Sequence, residues 1–393
     1  MRTLHLTQAL KSTLRTWIPN PLRENVARDI ILMAPETVQQ LADWMSFLLP
    51  VAENRVPWRE LQNKFEVFRL FEYADSVLAH GEGLTWERLP YCVALARQLD
   101  PYQSLWIIEG LGHHYSECNL LSAQSKGLFA LPDEFDLDTR CLIPLHAGMG
   151  LSLATRSLSH LNGESPASRI REAIRQFLVL CDRHGRRGYT AAAVEALGLV
   201  AYQFHLSLLE KIDNELQEIA PRAVGYFWHG VGRALYFDPA NILPTTASIG
   251  SLKISQKLPP HEVGRGNAMA GLAWAIALVN LRHPEVLERF LELHGHWLPN
   301  RLAFSDGVTA ALTIWEEFCG PGPLERAPFR DGKNCRKNQT SQLWQEPVCP
   351  PYKSAMRPNV EDLFQYEPRR CLRPGPDAVL ENQTNGVRDA SGG

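Results

Sequence analysis

Apolar residues in the first hundred positions recur at intervals of three and four, the spacing of one face of an α-helix. One such stripe lies within 22–49, a second follows Pro57, and a third runs from about Trp86 to Leu99. No stretch alternates apolar and polar residues between Asn-Gly or Asp-Gly turns, so β-hairpins are poorly supported. These stripes predict an N-terminal helical cap over 1–100.

From residue 101 onwards, a pair of small residues separated by one position recurs six times. The copies are Gly110-Leu111-Gly112, Gly148-Met149-Gly150, Ala196-Leu197-Gly198, Gly230-Val231-Gly232, Gly271-Leu272-Ala273 and Gly307-Val308-Thr309. Their spacing of about 34 to 48 residues is the length of two helices joined by a turn. The pattern predicts an all-α fold in which 101–320 is a core of repeated helical hairpins, either an α-solenoid or a ring-like array.

The repeated glycines have two interpretations. Glycine inside a helix costs about 1 kcal/mol relative to alanine, so its repetition needs a reason. Close approach of neighbouring helix backbones is the simpler reason, and we favour it. In the second interpretation the glycines make room for a ligand in a cavity shared by the inner helices.

Overall composition narrows the class of protein. The 393 residues include 40 Lys plus Arg and 43 Asp plus Glu, a formal net charge of −3, which argues against a protein that binds nucleic acid by neutralising phosphates. After Gly320, only about 15% of residues are Leu, Ile, Val or Phe, too few to offset chain entropy by burial. We therefore predict that 321–393 is a disordered tail.

The sequence also bears on location. No apolar run followed by a small-residue cleavage site opens the chain, so a secretory signal is not expected. The most apolar stretches, Leu142–Ala154 and Ala268–Leu281, are too short for a membrane span and are expected to be buried helices. The eight cysteines show no metal-binding spacing, and Cys92 and Cys181 are expected to be small core residues. These features together favour a cytoplasmic protein.

Ionisable residues lie beside several of the glycine pairs. The candidates for catalytic roles are Glu109, His113, His146, Glu195 and His229. Charged groups on apolar helices are costly unless they are paired or face a wet cavity. Glu109, His113 and Glu117 follow one another at intervals of four and are the only residues we consider for a metal, although paired core Glu and His side chains explain them more simply.

The segment 225–237 is dense in aromatic residues. Its candidates for ligand binding are Tyr226, Trp228, Arg233 and Tyr236. The aromatic side chains can wall a pocket for an extended apolar ligand, with Arg233 holding an acidic end. They can equally be core packing, with Arg233 paired to a carboxylate such as Glu195, and we favour this interpretation. Arg265, Asn267 and Arg282 can serve the same two roles.

No nucleotide-binding loop and no nucleophile elbow are present, so the sequence leaves the cofactor open. The runs Leu145–Leu151, Glu109–Gly112 and His229–Leu235 resemble the Gly-rich blocks of a bacterial family of unknown biochemical function, encoded beside iterative polyketide synthases in enediyne clusters and in other bacterial genomes. The resemblance covers roughly 25–318. It implies a helical accessory protein of secondary metabolism whose partners are an apolar small molecule or polyketide intermediate and a biosynthetic enzyme.

Two functions therefore stay open at this point. In the first, helices surround a pocket in which the protein binds or modifies an extended apolar intermediate. In the second, the same repeats form a non-catalytic scaffold for a partner enzyme, and the polar residues satisfy one another in the core. Helical repeats serve both uses.

Overall fold

The computed structural model describes residues 55–74, 84–120, 127–128, 137–238, 247–320 and 360–366. Over these residues the chain is helical and contains no strand, which confirms the all-α prediction. The helices are α1 Arg55–Tyr73, α2 Leu89–Ala96, α3 Pro101–Asn119, α4 Leu142–Leu158, α5 Ala167–His184, α6 Thr190–Val194, α7 Ala196–Phe204, α8 Leu209–Ile219, α9 Ala223–Tyr236, α10 Ala247–Lys257, α11 Glu262–Val279, α12 Glu285–His294 and α13 Arg301–Cys319. Short 3₁₀ turns cover Thr139–Cys141, Leu206–Leu208, Gly295–Trp297 and Val360–Phe364.

Side-chain caps fix where three of the long helices begin. Asp100 accepts hydrogen bonds from the backbone N–H groups of Tyr102 and Gln103 at the start of α3. His261 does the same for Gly264 in α11, and Asn300 caps α13. These groups satisfy backbone donors that have no partner inside the helix.

The glycine pairs lie where neighbouring helices touch backbone to backbone. A Cβ atom added at these glycines would lie 1.8 to 2.2 Å from a carbonyl oxygen of another helix. The contacts are Gly110 with Phe71, Gly112 with Leu145, Gly148 with Glu109, Gly150 with Ala193, Gly198 with Phe227, Gly230 with Glu195, Gly232 with Ala268, Gly271 with His229 and Gly307 with Ala270. Close backbone approach therefore accounts for these glycines, as the simpler interpretation proposed.

The order within each pair has a meaning. In the pairs on α3, α4 and α9, the first glycine meets a segment that precedes its own helix in the chain, and the second meets a segment that follows it. Gly230 contacts Glu195 and Gly232 contacts Ala268, for example. Because residues two positions apart point to different sides of a helix, one pair lets a helix pack closely on both of its neighbours.

Helices with a glycine pair and helices without one differ in how many of their residues are buried. In α5, only residues on one stripe, such as Ile170, Ile174 and Phe177, are buried, whereas every residue of α11 from Gly266 to Val279 is buried. An apolar stripe is typical of a helix with one solvent face, and burial on all sides is typical of a core helix. The predicted buried helices Leu142–Ala154 and Ala268–Leu281 are accordingly confirmed in α4 and α11.

Hydrogen bonds join the N-terminal part of the described core to segments near its C-terminal end. The amide of Asn63 in α1 donates to Asn280, which follows α11, at 2.8 Å. At the C-terminal end of α13, Arg97 and Arg140 donate to the carbonyl oxygens of Phe318 and Cys319. These bonds tie the N-terminal helices to the end of the core.

Several sequence predictions can now be placed. The predicted helix after Pro57 is α1 and the one near Trp86 contains α2, whereas the stripe within 22–49 lies outside the described residues. Cys92 and Cys181 are buried, and burial raises the pKa of both thiols, as expected of small core residues. The tail prediction needs a correction over 360–366. Val360–Phe364 form a 3₁₀ turn, the side chains of Leu363, Phe364 and Tyr366 are buried, and the rest of 321–393 lies outside the described residues.

Within the described residues, no single helix has both the length and the apolar character needed to cross a membrane. One bent pair, Thr190–Phe204 with Leu206–Ile219, meets that criterion by length and composition alone.

Candidate functional site

Four charged or titratable side chains from three helical segments meet inside the core. They are Glu109 of α3, Glu195 between α6 and α7, and His229 and Arg233 of α9, and together we call them the Glu195 cluster. Each is more than nine-tenths buried. Such burial of charge is tolerated only where the groups pair with one another.

Glu195 is the centre of this cluster. His229 Nδ1 lies 2.6 Å from one carboxylate oxygen, and Arg233 donates to the other oxygen at 2.6 Å. Burial alone would raise the pKa of Glu195, but the positive charge of Arg233 and the bond from His229 hold that pKa below its ordinary value. Glu195 is therefore an ionised carboxylate that accepts a hydrogen bond from His229 Nδ1–H.

Arg233 links the two carboxylates. Its second terminal nitrogen lies 3.5 Å from Glu109 Oε1, a longer contact than the one to Glu195. Its guanidinium lies over the ring of Trp274 in α11, 4.1 Å from the ring centroid. Because a guanidinium over an indole face is attracted by the ring electrons, Trp274 helps to hold Arg233 in place.

The pKa of Glu109 is shifted in the opposite direction to that of Glu195. Burial raises its pKa above the ordinary value, the nearby Arg233 lowers it in part, and the negative charge of Glu195 adds to the rise. A carboxyl group with a raised pKa retains its proton into the range where it can act as an acid. Glu109 is thus the carboxyl of the cluster that is harder to ionise.

Three nitrogen atoms of this region have no hydrogen-bond partner among the described residues. Arg233 Nε and Trp274 Nε1 are buried N–H donors without a hydrogen-bond partner. His229 Nε2 makes no hydrogen bond to any part of the chain that the structure describes, since the ring's only bond runs from Nδ1 to Glu195. Buried donors are usually satisfied, and those that are not need an explanation.

The rings around His229 complete the local surroundings. Trp274 lies 6.4 Å from the imidazole centroid and Phe364 lies 6.3 Å from it, both edge to face. Phe364 belongs to the tail segment 360–366, so part of the predicted tail forms a wall of the cluster. Sequence reasoning missed both Trp274 and Phe364; an aromatic residue inside a run predicted to be disordered was the available signal for Phe364.

The structure brings together only some of the predicted site residues. Glu109, Glu195, His229 and Arg233 meet, and the predicted pairing of Arg233 with Glu195 is confirmed. His113 instead lies 3.9 Å from Glu117 and packs on Phe71. In the described part of the chain, no three His, Cys, Asp or Glu side chains are grouped so that they could hold a metal ion.

His146 lies in a separate environment. Its Nδ1 donates to the carbonyl oxygen of Leu142, its Nε2 accepts the backbone N–H of Arg186, and its ring stacks on Tyr189. Burial lowers the pKa of His146 to about 4. With both nitrogens committed to the backbone, this neutral histidine fastens α4 to the loop after α5.

The aromatic ligand candidates also separate. Trp228 donates to Asp213 of α8 at 2.7 Å, on a different side of α9 from Glu195. The hydroxyl of Tyr236 accepts from Asn280 at 2.7 Å, and the ammonium of Lys64 lies over its ring at 3.9 Å. Tyr226 is only partly buried and packs against the edge of the core. Of the four, Arg233 alone belongs to the Glu195 cluster.

Asn267 and Arg282, given two possible roles by the sequence, have found protein partners. Asn267 binds the backbone of Tyr366, and Arg282 lies over the ring of Tyr102 and pairs with Glu66.

No protein-family model matches this chain, and neither the curated proteins nor the solved structures include a match to it.

Proposed function

We propose that the protein binds an extended, mainly apolar small molecule carrying a carbonyl or carboxylate group, and that the Glu195 cluster receives this polar group. The observation that carries the proposal is the pair of unpartnered buried donors, Arg233 Nε and Trp274 Nε1, in side chains that lie against each other. A ligand oxygen that accepts from both donors would remove the cost of leaving them unsatisfied.

The cluster also has the groups needed for proton transfer to such a ligand. Glu195 orients His229 through Nδ1 and leaves the lone pair of Nε2 as the basic site, while burial raises the pKa of Glu109 and favours its protonated form. A histidine oriented by a carboxylate is a general base in many enzymes. This geometry supports acid and base chemistry next to the carbonyl group of the ligand, the modifying role that the sequence left open.

We infer that the glycine-bearing helices form a ring-like array rather than an open solenoid. Successive helices contact through their glycine pairs, and Arg233 of α9 lies 3.5 Å from Glu109 of α3. Arg97 and Arg140 hold the end of α13 near the start of the core. An interior surrounded by such helices suits the accessory role in polyketide-like secondary metabolism that the resemblance implies, with an apolar polyketide intermediate as the ligand.

The test uses a fluorescent polyene carboxylate, cis-parinaric acid, as a probe for this ligand class. We expect saturable binding to the full chain, with Trp274→Phe weakening it about tenfold because the variant keeps the ring but loses the N–H donor. Trp86→Phe makes the same chemical change beside Tyr115 and should bind like the unaltered protein. The methyl ester and a hydrocarbon of equal length measure the contribution of the carboxylate and the carbonyl.

One observation favours the second candidate, the non-catalytic scaffold. Both oxygens of Glu195 accept strong hydrogen bonds from the protein itself, so the cluster can serve as a packed core element. If neither parinaric acid nor its ester binds, and native mass spectrometry of the purified chain shows no bound small molecule, the ligand proposal is wrong. A scaffold should then recover a defined enzyme partner in a pull-down.

A further inference from the structure

A short segment far along the chain returns to the helical core. The stretch 321–359 separates residues 360–366 from the described core, which ends at Gly320. Leu363, Phe364 and Tyr366 are nevertheless almost fully buried. The segment contacts α6, α9 and α13, and Tyr366 also reaches α11. Four helices therefore form a groove that this segment fills.

The groove recognises the backbone of the segment. The side-chain oxygen of Asn267 accepts the backbone N–H of Tyr366 at 2.7 Å, and its amide nitrogen donates to the carbonyl oxygen of the same residue at 3.3 Å. A buried asparagine that satisfies both backbone groups of one residue replaces the partners that an extended peptide needs. The asparagine is fully buried, so this arrangement is enclosed in protein.

Two glycines shape the same groove. A Cβ atom on Gly225 would lie 2.6 Å from the side chain of Gln365, and one on Gly266 would lie 2.9 Å from the ring of Tyr366. These two glycines differ from those of the repeated pairs, whose missing side chains admit the backbone of another helix. Their missing side chains leave room for the peptide.

The docked segment also closes the Glu195 cluster. Phe364 is 1% exposed and packs its ring edge to face with His229. The segment 360–366 also contacts α6, which ends at the residue before Glu195. The segment therefore packs against the His229 side of the cluster.

We propose that α6, α9, α11 and α13 form a binding groove for a short Leu-Phe-Gln-Tyr peptide, that 360–366 occupies it within the same chain, and that this occupant is a displaceable lid over the Glu195 cluster. The lid role rests on the proposed function, because the cluster needs an entrance only if it receives a ligand. The peptide groove stands independently of the identity of that ligand.

The first test measures docking in the full chain by hydrogen exchange. Phe364→Ala changes no residue of the helices that form the groove, and it removes the main apolar anchor of the segment. We expect the amides of 363–366, including that of Tyr366, to exchange at least about tenfold faster than in the unaltered chain. Phe329→Ala, the same change elsewhere in 321–393, should leave them unchanged. Equal protection in all three proteins would overturn the docking.

The second test asks whether the groove accepts the peptide from outside. A fluorescein-labelled peptide of residues 357–369 should bind the Phe364→Ala chain in an anisotropy titration. It should bind the unaltered chain at least about tenfold more weakly, because the tethered segment competes at a high effective concentration. A labelled peptide carrying the Phe364→Ala change is the matched control and should not bind. Absence of binding to the Phe364→Ala chain, or equal binding to both chains, would overturn the groove.

The third test measures closure without any ligand. Diethyl pyrocarbonate modifies accessible imidazole nitrogens, and mass spectrometry reports the modification of each histidine. We expect His229 to react at least about tenfold faster in Phe364→Ala than in the unaltered chain. His146, whose two nitrogens are both hydrogen-bonded to backbone, is the internal control. An unchanged rate at His229 would overturn the lid.

Failures of the two proposals are distinguishable. If parinaric acid does not bind while the exchange, peptide and histidine tests succeed, the ligand proposal fails and the groove stands. If parinaric acid binds with the expected variant effects while those three tests fail, the ligand site stands without a lid.

Discussion

Two adjacent residues of α9 serve two buried carboxylates of similar chemistry. His229 binds Glu195 in the Glu195 cluster, and Trp228 binds Asp213 in a second group that we call the Asp213 cluster, which also contains His261 and Gln217. Each carboxylate is completely buried, and each contacts one histidine. The two clusters therefore allow a comparison in which the kinds of groups are nearly matched.

The two clusters differ in how many of their hydrogen-bonding groups have a partner. His261 Nδ1 accepts from Gly264 and its Nε2 donates to Asp213 at 3.1 Å, so this ring has no nitrogen left for a ligand. In the Glu195 cluster, His229 Nε2, Arg233 Nε and Trp274 Nε1 have no partner in the described structure. A saturated cluster is expected of a structural element, and unpartnered buried nitrogens are expected of a site.

Of the variants that test this comparison, we expect the removal of Arg233 to have the largest effect on the free energy of unfolding. Arg233→Ala leaves the ionised Glu195 buried with only His229 beside it, so we expect a loss of about 3–5 kcal/mol in the free energy of unfolding. Urea denaturation of both proteins measures it. Arg289→Ala removes an exposed arginine paired with Glu292 and should change little. Similar losses in the two variants would mean that Glu195 is not held as described.

A matched pair of tryptophan variants tests the comparison most directly. Trp228→Phe removes a hydrogen bond to a buried carboxylate, and we expect it to cost about 1–3 kcal/mol of unfolding free energy. Trp274→Phe removes an N–H that has no partner, so the loss through hydrogen bonding should be close to zero. Urea denaturation measures both. Equal losses, after allowance for the similar change in volume, would remove the distinction between a saturated and an unsaturated cluster.

The pH dependence of stability separates Glu109 from Glu195. Because burial raises the pKa of Glu109 in the folded chain, its favourable contribution is present below the unfolded value of 4.5 and is lost as pH rises through the folded pKa. The free energy of unfolding of Glu109→Gln, relative to the unaltered chain, should increase over this range by at most about 1.4 kcal/mol per pH unit. A difference independent of pH would show that the pKa of Glu109 is not raised in the folded chain.

The smallest effect is expected at His261, which is partly exposed. His261→Asn keeps a side-chain acceptor at the start of α11 but loses the donor to Asp213, which retains Trp228 and Gln217. We expect a loss of about 0.5–1.5 kcal/mol in the free energy of unfolding. His261→Ala, which removes the cap as well, should cost more, and thermal or urea denaturation distinguishes the two variants. A larger loss in His261→Asn than in Trp228→Phe would reverse the assigned order.

Much of the helical framework could be predicted from local pattern. The stripe after Pro57 predicted α1, and the uniformly apolar runs predicted α4 and α11, because helix periodicity and burial are both read from neighbouring residues. The pairing of Arg233 with Glu195 was also anticipated, since a buried charge needs an opposite charge. The separation of Trp228 from His229 was beyond reach, because it depends on which side of α9 each neighbouring helix occupies.

The sequence by itself determined an all-helical core with small residues at a repeated spacing, because glycine and apolar periodicity act through local geometry. Only the tertiary structure decided that Glu109, Glu195 and Arg233 meet while His113 and His146 do not. It also decided that 360–366 packs on the core despite the low apolar content of the tail. Burial in a groove depends on a few well-placed side chains and on backbone partners such as Asn267, which average composition does not record.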